Sequence, residues 1–163
     1  TSIFLDAGTT VMSLVRQLPN QHYTIVTSGA NIAIELSQRS RSTVSCVGGQ
    51  ISSSTLSLSG PQAEAFLATV NIDTAVLAAT GYSAGAGFTV GSYTENSLKR
   101  RVIQKADKVI LLIDRSKLGR TLPFTFASLS DIDVVICDAP LPEDFIQAAR
   151  AAGTEVLQVQ PAK

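Results

Sequence analysis

Short apolar segments alternate with amphipathic segments along nearly the whole chain, and this alternation limits the folds that the sequence can adopt. The apolar segments are apolar on both faces, which is typical of strands covered by helices on both sides of a sheet. We predict strands at residues 2–6, 23–27, 43–47, 73–79, 108–113, 133–137 and 155–159. We predict helices at residues 9–18, 31–38, 62–69, 93–106 and 143–152. The sequence therefore predicts an α/β fold with a mainly parallel sheet flanked by helices.

Two segments depart from the alternation. The hydroxyl-rich segment 51–59 resembles an irregular or edge strand, which Gly60-Pro61 closes. The glycine-rich segment 81–91 lacks the G-x-G-x-x-G spacing of a dinucleotide-binding turn. For this second segment we favour a mobile loop over a ligand.

The composition limits the classes of protein to which the chain can belong. With 163 residues, 45% hydrophobic and 16% charged, residues 1–163 are expected to form one domain with a real core. The formal net charge is zero, whereas a domain that holds nucleic acid electrostatically is normally basic. No apolar run approaches the roughly 20 residues that span a bilayer. We therefore expect neither direct DNA binding nor membrane insertion by this domain.

The cysteines and the histidine suggest no catalytic or metal chemistry. Cys46 and Cys137 lie in apolar strand-like segments and are expected to be buried, reduced thiols in a cytoplasmic protein, with a disulfide or a metal site as the alternative. The single histidine, His22, is expected at the surface. A Ser-His-Asp hydrolase has little support, and we expect no metal and no cofactor.

The segment from Ile3 to Thr10 indicates an anion site. An apolar strand ends in Asp6, the chain turns through Gly8, and Thr9 and Thr10 open an amphipathic helix. The first turn of a helix carries unpaired N–H groups and the positive end of the helix dipole. Ordinary helix capping by a short polar turn is the alternative explanation.

Other polar residues follow predicted strands. Asp6, Thr27, Gly48, Thr80, Gly81 and Asp114 would share the carboxyl edge of a parallel sheet, where ligands bind. Lys117 follows Asp114 and could supply a cation, although an exposed lysine near a turn is often only solvated. These strand ends suggest a pocket for a small phosphorylated ligand.

Glu95 and Lys99 lie near the start of the helix that follows the glycine-rich segment. With Ser92, Glu95 fits a capping box, and this alone would account for it. A carboxylate at this place could equally meet sugar hydroxyls. Lys99, one turn later, is the basic residue of this helix best placed to face the pocket, and a solvated basic face is the alternative.

These residues together resemble the effector-sensing C-terminal domain of DeoR-family bacterial transcriptional repressors. In chain order, the matching elements are residues 5–10, the strand 24–27, Gly48-Gly49, Gly60-Pro61, Asp73, Gly81, Gly87, Glu95, Lys99, the segment 114–119 and the closing strand 132–138. Ser28 stands where family members usually carry Asn, and Cys137 replaces a commoner Thr.

The resemblance implies a fold similar to ribose-5-phosphate isomerase, a phosphorylated sugar as effector and a homo-oligomer, either a dimer or a tetramer. It also implies a winged helix-turn-helix domain upstream, through which alone DNA would be bound. The start at Thr1, almost directly on a strand and without an initiator Met, leads us to expect a fragment.

The leading hypothesis is a regulatory ligand-binding domain rather than an enzyme. The phosphate would lie on the backbone of Gly8, Thr9 and Thr10, with Lys117 as the counter-charge. Asp73, Glu95 and Lys99 would meet the sugar hydroxyls, and Asp6, Thr27, Gly48 and Gly81 complete the candidate ligand-binding set. The alternative is a sugar-phosphate isomerase with Glu95 or Asp73 as the base.

Overall fold

The computed structural model describes residues 2–39 and 41–159. The strands are β1 (Ser2–Leu5), β2 (Thr24–Thr27), β3 (Thr43–Cys46), β4 (Gln50–Ile51), β5 (Leu58–Ser59), β6 (Ile72–Ala78), β7 (Gly81–Ser83), β8 (Gly87–Val90), β9 (Ala106–Ile113), β10 (Phe124–Ala127), β11 (Val134–Cys137) and β12 (Glu155–Gln158). The helices are α1 (Thr9–Gln17), α2 (Ala30–Arg39), α3 (Pro61–Leu67), α4 (Tyr93–Lys105) and α5 (Glu143–Ala152). The predicted strands and helices are confirmed, with ends shifted by no more than two residues.

The main sheet has seven strands in the order β12-β11-β9-β6-β1-β2-β3, and every neighbouring pair is parallel. This confirms the predicted α/β class. From β1 the chain winds outward through β2 to β3, and it then returns to β6 and winds the other way to β12. The direction of winding therefore reverses between the adjacent strands β1 and β6, which is where open parallel sheets bind ligands.

Helices cover both faces of the main sheet, as the two-sided apolar strands require. One apolar cluster joins the sheet to α1 and α2 through Val11, Val15, Ile32 and Leu36. A second cluster, on the other face, includes residues of α3, α4 and α5: Leu67, Leu98, Val102, Phe145 and Ala149. The change of face between α2 and α3 follows from the reversal of winding, because parallel crossovers are right-handed.

The glycine-rich segment is a β-hairpin, so the prediction of a mobile loop is wrong. β7 and β8 pair antiparallel, and β10, which the sequence analysis did not predict, adds to β8 as a third strand. Gly87 stands at φ 77°, and a Cβ there would lie 2.5 Å from the carbonyl oxygen of Ala127. This glycine lets two strands approach closely, and the hairpin is held by the buried rings of Tyr82 and Phe88, whose centroids are 4.7 Å apart.

The hydroxyl-rich segment 51–59 contains a turn between the short strands β4 and β5, which pair antiparallel. Both cysteines are free, but only Cys137 is buried; Cys46 is exposed because β3 is an edge strand. His22 is exposed, as predicted. Among the described residues, no helix has the length and apolar character needed to cross a membrane.

Candidate functional site

A cleft of about 160 Å³ opens at the switch point between β1 and β6. It is bounded by the turn after β1, the start of α1, the loop between β4 and β5, the end of β6, the start of α4 and the short 3₁₀ helix after β9. Its lining residues are Asp6, Ala7, Gly8, Thr9, Thr10, Thr55, Ser57, Ala78, Ala79, Thr80, Val90, Glu95, Lys99 and Lys117.

The start of α1 forms one wall of this cleft. Gly8 is the N-cap residue at φ 121°, a conformation that L side chains rarely adopt, and it provides no side-chain cap. The first backbone hydrogen bond of the helix runs from Met12 N–H to the carbonyl of Gly8 at 3.0 Å. The N–H groups of Thr9, Thr10 and Val11 have no acceptor among the described residues, and the first turn contains no acidic residue. An anion in the cleft could accept hydrogen bonds from this turn.

Lys117 reaches the cleft from the 3₁₀ helix Arg115–Lys117. Asp114 fixes the start of this helix, because its carboxylate accepts a hydrogen bond from Ser116 N–H at 3.0 Å. The Lys117 side chain is partly exposed, and its ammonium makes no ion pair or hydrogen bond with the described part of the chain. It is therefore an uncompensated positive charge at the cleft.

Asp6 and Lys99 form a buried ion pair on the floor of the cleft. Their side chains are 5% and 10% exposed, so the pair is largely removed from water. The ammonium of Lys99 also donates to the carbonyl of Ala78 at 2.8 Å and lies 5.2 Å from the centre of the Phe126 ring. The carboxylate of Asp6 also accepts from the N–H groups of Ala7 at 2.8 Å and Ala78 at 2.9 Å.

This pair links the end of β1 to α4, and the hydrogen bonds of both side chains to Ala78 add the end of β6. The Ser28 hydroxyl lies 3.4 Å from the Asp6 carboxylate and donates to it, which gives Ser28 a place in the same network. Because each charge of the pair is already matched, the Lys99 ammonium adds little net charge to the cleft. Of the cleft-lining charges, those of Lys117 and Glu95 have no opposite partner within residues 2–39 and 41–159.

Glu95 lies in the first turn of α4, where the predicted capping box is only half formed. Ser92 is the N-cap, and its hydroxyl accepts from Glu95 N–H at 3.4 Å. The carboxylate of Glu95 does not turn back to the Ser92 N–H. It accepts instead from the hydroxyl of Thr55, at 3.1 Å, across the cleft. The capping role therefore does not account for the direction of this side chain.

Two groups with shifted pKa values lie outside the cleft lining. Burial raises the pKa of the Tyr82 phenol, and the negative charge of Asp144 raises it further. Burial likewise raises the pKa of the Cys137 thiol, and the carboxylates of Asp138 and Asp114 add to this rise. Both side chains stay neutral near pH 7 and belong to the apolar core.

Comparison with known families now decides the class of protein. A family model described as the DeoR C terminal sensor domain matches residues 1–139. The chain belongs to this family. The resemblance that the sequence motifs suggested is thereby confirmed.

Similar proteins with curated names are transcriptional regulators. HTH-type transcriptional regulator GlpR of Haloferax volcanii is 36% identical over 156 residues, which cover 95% of this chain and 61% of the relative. HTH-type transcriptional repressor GlcR of Bacillus subtilis is 31% identical, and the match covers 95% of this chain and 60% of the relative. A putative aga operon transcriptional repressor of Escherichia coli O157:H7 is 29% identical, and the match covers 96% of this chain and 59% of the relative. The chain spans about three-fifths of the length of these relatives.

The structure of the sensor domain brings most of the predicted ligand-binding residues together. The seven that line the cleft are Asp6, Gly8, Thr9, Thr10, Glu95, Lys99 and Lys117. Asp6 and Lys99 are engaged with each other. The first turn of α1, Lys117 and one carboxylate oxygen of Glu95 have hydrogen-bonding capacity that no described residue uses.

Four predicted residues lie outside the cleft lining. Asp73 is near the start of β6, five residues before Ala78, so about 16 Å of extended strand separates it from the cleft. Its carboxylate accepts from Ser2 N–H at 3.0 Å, and it cannot serve as a base in this cleft. Thr27 is fully buried, and its hydroxyl donates to the carbonyl of Leu5 at 2.7 Å. Gly81 is buried and pairs with Thr89, while Gly48 is exposed beyond β3.

Sequence reasoning missed the contribution of the β4–β5 loop. Thr55 and Ser57 line the cleft, as do Ala79 and Val90. The only local signal was the density of hydroxyl residues in this segment, which also suits an irregular edge strand. Its position depends on backbone pairing with residues 28–30, which are distant in sequence.

Proposed function

We propose that this sensor domain binds a phosphorylated sugar intermediate, and that binding modulates a DNA-binding domain carried elsewhere in the full-length regulator. Membership of the family and the regulator names of the relatives support the regulatory role. The chemistry of the cleft supports the class of effector. We also propose that the protein acts as a homo-oligomer and has no catalytic activity of its own.

One observation carries the assignment of the phosphate end. The unpaired N–H groups at the start of α1 and the unpartnered ammonium of Lys117 border the same cleft. The helix terminus offers several donors and a partial positive charge, and the lysine adds a full charge. Since Asp6 already neutralises Lys99, the start of α1 and Lys117 are the groups of the cleft lining that attract an anion.

The rest of the polar lining of the cleft suits a polyhydroxylated ligand. It presents one carboxylate, Glu95, and the hydroxyl groups of Thr55, Ser57 and Thr80. A carboxylate accepts hydrogen bonds strongly from sugar hydroxyls, and side-chain hydroxyls can both donate and accept. A site built to bind hydroxyl groups rejects analogues that lack them, because its polar groups would then be left unpaired.

Signalling requires that the effector bind two states of the regulator with different affinity. The cleft lies between elements that belong to different parts of the fold: α1 on one face of the main sheet, α4 on the other, and the β4–β5 hairpin, which follows the edge strand β3 along the chain. A ligand that contacts all three favours the arrangement in which they lie closest. We propose that this preference is the source of the regulatory response.

A thermal-shift panel tests the class of effector. Ribose 5-phosphate, fructose 6-phosphate and glucose 6-phosphate are compared with the corresponding free sugars, using the purified protein. A ligand at about 100 times its Kd stabilises the folded state by about 2.7 kcal/mol, which gives a clear rise in Tm. We expect stabilisation by at least one phosphate and none by the free sugars. Equal shifts from a free sugar and its phosphate would contradict the anion site.

Lys117→Ala tests the phosphate end directly. Charge-assisted hydrogen bonds contribute roughly 1.5–3 kcal/mol, so the affinity for a sugar phosphate should fall about tenfold or more in calorimetric titration. The matched control is Arg115→Ala, which removes an exposed cation from the same 3₁₀ helix but outside the cleft lining. Equal affinity in both variants would show that Lys117 is merely a solvated side chain.

A further inference from the structure

The loop between β4 and β5 is held firmly at the mouth of the cleft. Leu56 N–H donates to the carbonyl of Ser52 at 2.8 Å, and Ser52 N–H donates to the carbonyl of Ser57 at 2.8 Å. Two further bonds tie the loop to the body of the protein: Ala30 N–H to the carbonyl of Leu56 at 3.0 Å, and Leu58 N–H to that of Ser28 at 2.7 Å. The loop is therefore a fixed wall of the cleft.

Leu56 marks the tightest part of this loop. Its φ is 58°, and it is the one non-glycine residue with a positive φ in the described part of the chain. Such a conformation is costly for a leucine and persists only where the surrounding structure holds it. The strained backbone directly follows Thr55, whose side chain reaches the cleft.

The hydrogen bonds of Thr55 define the direction of its hydroxyl proton. Ser57 N–H donates to the Thr55 oxygen at 3.3 Å, so that oxygen acts as an acceptor on the loop side. Its own proton is then directed to Oε1 of Glu95, 3.1 Å away. This bond fixes one oxygen of the Glu95 carboxylate, and the second oxygen has no partner among the described residues.

We propose that Thr55 is a positioning residue that orients Glu95 so that its free oxygen accepts a hydrogen bond from an effector hydroxyl. The inference rests on the proposed function and deepens it, because it assigns the selection of hydroxylated effectors to a contact between the β4–β5 loop and α4. The phosphate end of the effector is recognised by α1 and Lys117 and does not depend on Thr55. Thr55 therefore affects selectivity for the sugar part and not affinity for the anion.

The test compares two probes on the same protein variants. Inorganic phosphate reports the anion site alone, and the sugar phosphate that binds most tightly among ribose 5-phosphate, fructose 6-phosphate and glucose 6-phosphate reports both ends. The variants are Thr55→Val, which removes the hydroxyl at nearly constant shape, and Thr55→Ser, which keeps it. Ser53→Ala is the control, an exposed residue in the same turn and outside the cleft lining.

Thr55→Val should lower the affinity for the sugar phosphate about tenfold, the size expected when a hydrogen bond to a charged group is lost. It should leave the affinity for inorganic phosphate within about twofold of the wild-type value. Thr55→Ser should restore most of the affinity, and Ser53→Ala should match the wild type. In a Glu95→Gln background the Thr55→Val loss should be clearly smaller, because two residues that act through one contact are not additive.

Two results for Thr55→Val would overturn the inference. An equal loss of affinity for both probes would show that Thr55 acts in folding the loop. Unchanged affinity for both probes would show that Thr55 does not position Glu95 for the effector. Failure of the proposed function gives a different pattern, since the wild type itself would then bind neither probe. In that case the inference, which depends on the proposed function, falls with it.

Discussion

Removal of the Lys99 ammonium from the floor of the cleft should strongly destabilise the protein. Lys99→Met keeps the length and most of the volume of the side chain, but it leaves the Asp6 carboxylate buried without its cation. Loss of one partner of a buried ion pair typically costs about 3–5 kcal/mol. The Asp6 carboxylate would still accept from Ala7 N–H and Ala78 N–H, so we expect the lower end, about 3 kcal/mol.

Urea unfolding followed by circular dichroism measures this loss in the free energy of unfolding. For a chain of this length, about 3 kcal/mol corresponds to a fall in Tm of roughly 6–12 °C. The matched control is Arg100→Met, on the same helix but exposed, which should change stability by no more than about 0.5 kcal/mol. The double variant Asp6→Asn/Lys99→Met should recover part of the loss, because no buried charge remains. A Lys99→Met protein within about 1 kcal/mol of the wild type would refute the role of the pair.

Four further predictions concern individual side chains of the site and of the core. Glu95→Gln should weaken sugar-phosphate binding with little change in Tm, and NMR of ribose 5-phosphate with the wild type should show no ketose phosphate; sustained isomerisation would indicate an enzyme. Ser92→Ala should cost about 1 kcal/mol of stability in urea unfolding, and an unchanged midpoint would show that the cap contributes nothing. A thiol reagent should label Cys46 in the native protein and Cys137 only after unfolding. Burial raises the pKa of the Cys137 thiol in the folded protein above its ordinary value of 9.0. The neutral thiol should therefore contribute its full stabilisation below pH 9.0, and this stabilisation should be lost as the pH rises above that value. Urea unfolding midpoints measured from about pH 7 to 10 check this sign.

The parallel sheet could be predicted because its signal is local. Each strand of the main sheet is a short apolar run, and each helix between them has its own amphipathic period. The three-stranded sheet could not be predicted in this way. β10 is recognisable only through its pairing with β8, more than 30 residues earlier, and the glycines of β7 and β8 resemble a flexible loop until buried rings such as Tyr82 and Phe88 are seen to pack.

The candidate site was predictable where a residue's place on its strand was clear. Asp6 directly follows β1 and Lys117 follows β9, so both lie at the carboxyl edge of the sheet. Asp73 lies away from the cleft because it is the second residue of β6, and parallel strands carry their two ends to opposite edges. The predicted strand 73–79 already began with Asp73, and the family resemblance alone placed it among the ligand-binding residues. Thr55 was missed because its contact with Glu95 joins residues 40 positions apart in sequence.

Amide chemical shifts during a phosphate titration test the central claim most directly. In the proposed binding mode, the anion lies on the first turn of α1 beside Lys117, both of which line the cleft. In ¹H–¹⁵N NMR spectra of the wild type, added inorganic phosphate should therefore shift the amides of Thr9, Thr10 and Val11 most strongly, and Lys117→Ala should reduce the response. Saturable shifts centred on another surface, or none at the start of α1, would contradict the account.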